Sequence, residues 1–188
     1  MTMARHSPLE GVSLIDGLRE LPFRAQLDLR LVPDDVEART AVEAVVGALP
    51  IEPNTVQGGP DAAVLWLGPD EWLVVGPADA ERTLEEQLLT ALGGASSRVA
   101  IVDVSANRTT LELGGPRVRE LLEFGCPLDL DPRAFGPGRC AQTLLARANV
   151  LVWHVTDEPE ETWRLLVRPS FAAYVAAWLA DAADGLSD

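Results

Sequence analysis

Val99-Ala100-Ile101-Val102-Asp103-Val104-Ser105-Ala106-Asn107-Arg108-Thr109-Thr110-Leu111-Glu112-Leu113-Gly114-Gly115-Pro116-Arg117-Val118-Arg119-Glu120-Leu121-Leu122 carries most of the fold's signal. Val99–Val104 is apolar except at Asp103 and reads as a strand. Thr109, Leu111 and Leu113 alternate with polar or charged neighbours, the period of a second strand. Gly114-Gly115 then turns the chain. Pro116 is predicted at the first position of a short helix bearing Val118, Leu121 and Leu122, because proline's fixed φ suits a helix start.

Downstream, a Pro- and Gly-rich loop runs from Gly125 to Gly138. Strands are predicted near 140–147, 149–156 and 162–167, then a helix over 171–183 with a stripe of Phe171, Tyr174, Val175, Trp178 and Leu179. Upstream, Ala25, Leu27, Leu29 and Leu31 alternate with Gln26, Asp28 and Arg30, a half-buried strand. Pro33-Asp34-Asp35 offers a helix start, followed by Val42, Val45, Val46 and Leu49 at helical spacing. A loop spans Pro50 to Pro60. Ala62–Leu67 and Trp72–Val75 flank Gly68-Pro69-Asp70-Glu71 as a hairpin. Residues 79–92 form a helix with Leu84, Leu88 and Leu92 on one face, stopped at Gly93-Gly94.

The elements repeat in order: strand, helix, strand, strand, helix, over about 25–92 and again over about 107–183. The expected class is α+β, with pseudo-duplicated halves and antiparallel sheets. Residues 1–22 read as an extended N-terminal arm, 23–98 as the first half and 99–188 as the second, the two forming one compact unit.

The chain has 188 residues and a formal net charge of -14. Such a surface repels nucleic acid and anionic membranes. All fifteen basic residues are arginine, so no Schiff-base or P-loop lysine exists. The N-terminal stretch has no basic segment leading into a long apolar one, and Phe171–Ala180 is too short to span a bilayer. Neither nucleic acid nor membrane is an expected partner, and a cytoplasmic location is the default expectation.

Candidate chemistry is sparse. Cys126, Cys140, His154 and His6 are the soft ligands, and their spacing matches no zinc pattern. The cysteines read as buried packing. Ser105, Asp103 and His154 contain the elements of a nucleophilic triad but no nucleophile elbow. Asp103 reads either as a general base or as the acceptor of an Asx-type turn with Ser105 and Asn107, and the turn is preferred. Gly114-Gly115-Pro116 with Arg117 and Arg119 could hold an anion, but tight turning and solvated arginines explain it more simply. Asp157-Glu158-Pro159-Glu160-Glu161 reads as a solvated acidic turn. Trp66, Trp72, Trp153, Trp163 and Trp178 read mainly as core. No catalytic, cofactor-binding or metal residue is assigned.

Several of these stretches, in order, resemble the gamma subunit family of heterotetrameric sarcosine oxidase. They are Ala25–Arg30, Trp66–Leu73, Val102–Pro116 with Leu121-Leu122, Gly125–Leu130, Cys140–Thr143, and Leu166–Phe171 with Trp178-Leu179. The resemblance implies a fold similar to the folate-binding aminomethyltransferases. It implies an oxidase of four different subunits that demethylates sarcosine to glycine, passes the carbon to tetrahydrofolate and reduces oxygen to hydrogen peroxide. FAD, FMN, NAD, zinc and tetrahydrofolate would sit on the alpha, beta and delta subunits. This chain would hold no cofactor and would pack directly on the folate-binding part of alpha. Two alternatives remain: a small subunit of N-methylglutamate dehydrogenase, and a stand-alone folate-binding or one-carbon-transfer protein. A related iron–sulfur-linked folate-binding protein carries Lys-Gly-Cys near the place of Arg139-Cys140. Lysine is absent here, which argues against transferring that activity.

Overall fold

The computed structural model describes residues 6–186. The first five residues of the expected arm, and residues 187–188, lie outside the described residues. Ten strands and four α-helices follow one another as β1 (Leu18–Glu20), β2 (Ala25–Leu31), α1 (Val36–Val46), β3 (Val56–Gly58), β4 (Ala63–Gly68), β5 (Glu71–Gly76), α2 (Glu81–Leu92), β6 (Val99–Asp103), β7 (Thr109–Gly114), α3 (Val118–Glu123), β8 (Arg139–Leu145), β9 (Ala148–Thr156), β10 (Thr162–Val167) and α4 (Pro169–Leu186). A 3₁₀ turn, Gly93–Arg98, links α2 to β6.

Two five-stranded antiparallel sheets result, ordered β3-β4-β5-β2-β6 and β1-β7-β10-β9-β8. The orders correspond if β2 is matched with β7, β3 with β8, β4 with β9 and β5 with β10. The remaining strands cross over. β6 pairs with β2, with Ile101 opposite Leu29. β1 pairs with β7, with Leu18 opposite Leu113. Each repeat thus lends the strand before it to the other repeat's sheet. The last part of the expected arm is therefore sheet. Gly17, at φ 80°, lets β1 enter: a Cβ there would sit 2.3 Å from the Gly114 carbonyl oxygen.

The sheets stack face to face, and helices cover their outer faces. Ala63, Leu65, Leu73 and Val75 meet Cys140, Leu151, Trp153 and Leu166 between the sheets. Leu27, Leu29, Val64, Trp72 and Val74 pack under α1 and α2 through Val42, Leu88 and Leu92. Leu111, Val152, Trp163 and Leu165 pack under α3 and α4 through Leu122, Val175 and Leu179. Sheets covered on both sides blur period-two alternation, so β9 is nearly continuous in its burial.

Local signals hold at most boundaries. Asp35 caps α1, its carboxylate accepting from Ala38 N at 3.1 Å. Gly93, at φ 48°, ends α2. Two readings change. Pro116 precedes the helix rather than opening it, because Gly115 O accepts from Val118 N and closes a turn first. The Pro50–Pro60 loop contains β3, which forms because β4 offers an edge: Val56 lies opposite Leu65. Among the described residues no helix is long and apolar enough to cross a membrane.

Candidate functional site

The turn after β6 is built as its residue types suggest. Asp103 Oδ1 accepts from Ser105 N at 2.9 Å and from Ser105 Oγ at 2.6 Å, an Asx-type turn. Ser105 Oγ in turn accepts from Gln26 N at 2.9 Å, fastening the turn to β2. This buried serine locks the passage between the sheets. His154 lies on β9 in the other sheet and has different partners, so the triad is not assembled.

Beside this turn is a cavity of about 740 Å³, lined by Pro22, Phe23, Arg24, Arg108, Thr110 and Pro169 among others. The buried Thr110 hydroxyl and Arg24 Nε have no hydrogen-bond partner within the protein. Burial, then the nearby Arg164 charge, pulls the Arg24 guanidinium below its usual pKa. Burial does the same to Arg108, against the opposing pull of Asp28. The lining offers donors to an acceptor-bearing group, and its carboxylate, Glu20, accepts from the Ser7 and Thr109 hydroxyls, tying the N-terminal segment to β7.

A denser constellation surrounds Trp163 on β10, which is fully buried. Its cross-strand neighbour His154 stacks on it with ring centroids 4.2 Å apart and planes 5° from parallel. Phe135, from the Gly125–Gly138 loop, stacks at 5.5 Å. The Arg119 guanidinium lies 5.1 Å from the indole centroid. His154 Nδ1 is 3.1 Å from Phe135 O, and Nε2 is 3.0 Å from Asp157 Oδ1 and 3.7 Å from Glu161 Oε1. Glu161 Oε1 also accepts from Trp163 Nε1 at 3.0 Å and pairs with Arg119. Arg119 reaches the carbonyls of Leu130 and Phe135 too.

Two expectations are corrected here. Arg119 is not a solvated arginine, since its side chain is only 14% exposed. The acidic turn is not wholly solvated, because Asp157 and Glu161 fold back over His154. Sequence reasoning missed this because both ends of the turn are charged and their approach depends on strand register. The one available signal was a histidine three residues before an acidic run.

The Gly114-Gly115-Pro116 segment has its donors occupied. Gly114 N bonds Gly17 O at 2.9 Å, and Gly115 N bonds Glu161 O at 3.2 Å. Arg117 pairs with Glu120 and donates to Leu186 O. No anion cradle remains at this short helix.

Both cysteines are buried and free. Burial raises the pKa of Cys126, and pushes that of Cys140 up to about 12. Thiolate is the reactive form, so both should resist modification of the native protein. At pH 8 a disulfide reagent should label neither thiol until denaturant is added, when two should react. Rapid labelling of Cys140 in the folded chain would contradict the packing. Of the tryptophans, Trp72, Trp153 and Trp163 are core, and Trp66 and Trp178 are partly exposed.

Comparison with known proteins gives this geometry a family. The chain matches the sarcosine oxidase, gamma subunit family over residues 33–185. It is 42% identical to sarcosine oxidase subunit gamma of Corynebacterium sp. (strain P-1), covering 96% of this chain and 91% of that protein. It is 40% identical to the subunit of the same name from Arthrobacter sp., with the same coverage. Among solved structures, a chain of heterotetrameric sarcosine oxidase from Corynebacterium sp. U-96, in complex with pyrrole 2-carboxylate, superimposes with a TM-score of 0.84 at 38% identity, covering 98% of this chain and 97% of that one. Aminomethyltransferase T of the Bartonella henselae glycine cleavage system shares the fold, with a TM-score of 0.64 at 13% identity over 87% of this chain and 45% of that one. With its double sheet, exchanged strands and near-complete alignment, this chain belongs to the sarcosine oxidase gamma subunit family.

Proposed function

We propose that this chain is the non-catalytic accessory subunit of a heterotetrameric sarcosine oxidase. It packs on the alpha subunit and stands in one complex with beta and delta. The complex demethylates sarcosine to glycine, with tetrahydrofolate taking the carbon and oxygen reduced to hydrogen peroxide. FAD, FMN, NAD, zinc and tetrahydrofolate are placed on the partner subunits, and catalysis with them. The observation that carries the reading is the near-complete alignment, in sequence and in structure, with a chain of a heterotetrameric enzyme.

The side chains support it. Ser105, Asp103, His154 and the cysteines are engaged in holding the fold rather than facing a reacting centre. Apolar surface is available for partners: Val102 on edge strand β6 is 53% exposed, and Ile51 and Phe124 are exposed as well.

Co-expression with the three other subunits should recover this chain in a stable complex that oxidises sarcosine. The isolated chain should show neither flavin absorbance nor sarcosine turnover. Omitting it should reduce the yield of assembled complex rather than alter the bound flavins. Failure to co-purify, or turnover by the isolated chain, would overturn the reading.

A further inference from the structure

We infer that His154 Nε2, Asp157 Oδ1 and Glu161 Oε1 form a binding site for a divalent transition-metal ion of the zinc type, which clamps the β9–β10 turn onto the sheet. The inference does not depend on the subunit assignment.

It begins with the histidine's protons. Phe135 O only accepts hydrogen bonds, so the nitrogen 3.1 Å from it, Nδ1, carries the hydrogen. The other ring nitrogen, Nε2, is then the atom that faces the turn. That atom is buried and makes no hydrogen bond, although a carboxylate oxygen lies 3.0 Å away and another 3.7 Å away. Two carboxylates converging on one buried imidazole nitrogen make a place for a positive charge, which an ion would supply.

The spacing suits an ion. Zinc binds nitrogen and oxygen ligands at about 2.0–2.2 Å, so neighbouring ligand atoms in a tetrahedron stand roughly 3.3–3.6 Å apart. The two distances to Nε2 bracket that range, and all three ligand atoms lie within 4.8 Å of one another. One imidazole and two carboxylates are a suitable donor set.

The surroundings are those of a supported site. A metal-bound imidazole commonly donates its other N–H to a carbonyl, as Nδ1 does to Phe135. Glu161 is oriented by Trp163 Nε1 and Arg119. Arg119 retains the Leu130 and Phe135 carbonyls as partners when an ion draws on Glu161. Its single positive charge meets two carboxylates, pairing with Glu161 and standing 3.9 Å from Asp157, so the cluster favours a dication. Asp157 is 50% exposed, leaving water access for a fourth ligand. Such an ion joins β9, the turn and the Phe135 loop at one point, a structural role distinct from catalysis.

The test uses the full chain, stripped with chelator and titrated with Zn²⁺ by calorimetry and with Co²⁺ by visible absorption. One equivalent should bind, reversed by chelator, with cobalt bands of tetrahedral intensity. Asp157→Asn, at a half-exposed position, should fold normally and weaken binding by at least about tenfold, since losing an outer-shell partner alone costs ~10–100-fold. Absence of saturable binding would overturn the inference, as would affinity unchanged in Asp157→Asn. So would a His154 ring that nitrogen NMR shows protonated on both nitrogens in excess Zn²⁺, because a proton would then occupy the ion's place.

Discussion

Arg164→Met should destabilise the chain by about 3–5 kcal/mol at neutral pH, the usual cost of leaving one partner of a buried ion pair uncompensated. For a chain of this size that is a fall in Tm of roughly 6–20 °C. The cause is a single register row across the sheet, in which Arg19 lies opposite Glu112, Glu112 opposite Arg164, Arg164 opposite Trp153, and Trp153 opposite Cys140. Arg164 Nε and Nη2 both stand 2.9 Å from Glu112 Oε2, with both side chains under 10% exposed. Its Nη1 donates to Pro60 O at 2.5 Å, reaching the turn between β3 and β4 in the other sheet. The guanidinium also lies 5.0 Å from the Trp153 centroid. The variant leaves Glu112 with only the exposed Arg19.

The pH dependence gives a second readout. Burial alone would raise the Glu112 pKa, but hydrogen bonds from Arg19 and Arg164 outweigh it and hold the carboxyl below its usual value. A carboxyl depressed on folding stabilises the protein above its unfolded pKa, and that stability is lost as pH falls through the folded value. The gap between parent and variant should therefore be full above about pH 5 and narrow in acid. Glu112→Met combined with Arg164→Met should recover more than half of the loss, because matched apolar residues replace buried pairs well. Urea unfolding at several pH values measures all of this. A single-variant effect below about 1 kcal/mol would show that water reaches the pair.

Trp163→Ala should cost a further, independent sum of about 3–5 kcal/mol, as for other large-to-small aromatic deletions in cores. It removes the surface against which His154 and Phe135 stack, and the donor that orients Glu161. The effect should be uneven. The Gly125–Gly138 loop is held here through Phe135, and through Arg119 to the Leu130 carbonyl. Its amides should lose hydrogen-exchange protection before those of β2 and β5 in the other sheet. Trp163→Phe should recover at least half the stability, since it restores ring area but not the N–H. Uniform loss of protection across both sheets would show that the loop has no separate anchor.

Much of the fold was legible locally. Alternation in 25–31 and 109–113, the Pro-Asp turn at 69–70, the Asp35 cap and the Gly93 stop are set by neighbouring residues, and local sterics and hydrogen bonding act there directly. The Asp103–Ser105 turn was equally readable, because an Asx-type turn closes within three residues. The helix start at Pro116 moved because Gly115 O formed a turn first.

What lies beyond the residues' own neighbourhood was not legible. The apolar run 99–103 reads as a strand, but nothing in it says that it will pair with β2, Ile101 opposite Leu29. Glu112 and Arg164 each interrupt an apolar strand, yet only register makes them one pair. Asp157 and Glu161 look like solvent-facing acids until β9 and β10 align and bring both to a buried histidine. By itself, then, the sequence determined the elements, the duplicated order and the family likeness, since these follow from short-range periodicity and ordered motifs. The tertiary structure alone decided the strand exchange, the buried ion pair and the His154 cluster, because burial and charge pairing depend on which distant strands lie side by side.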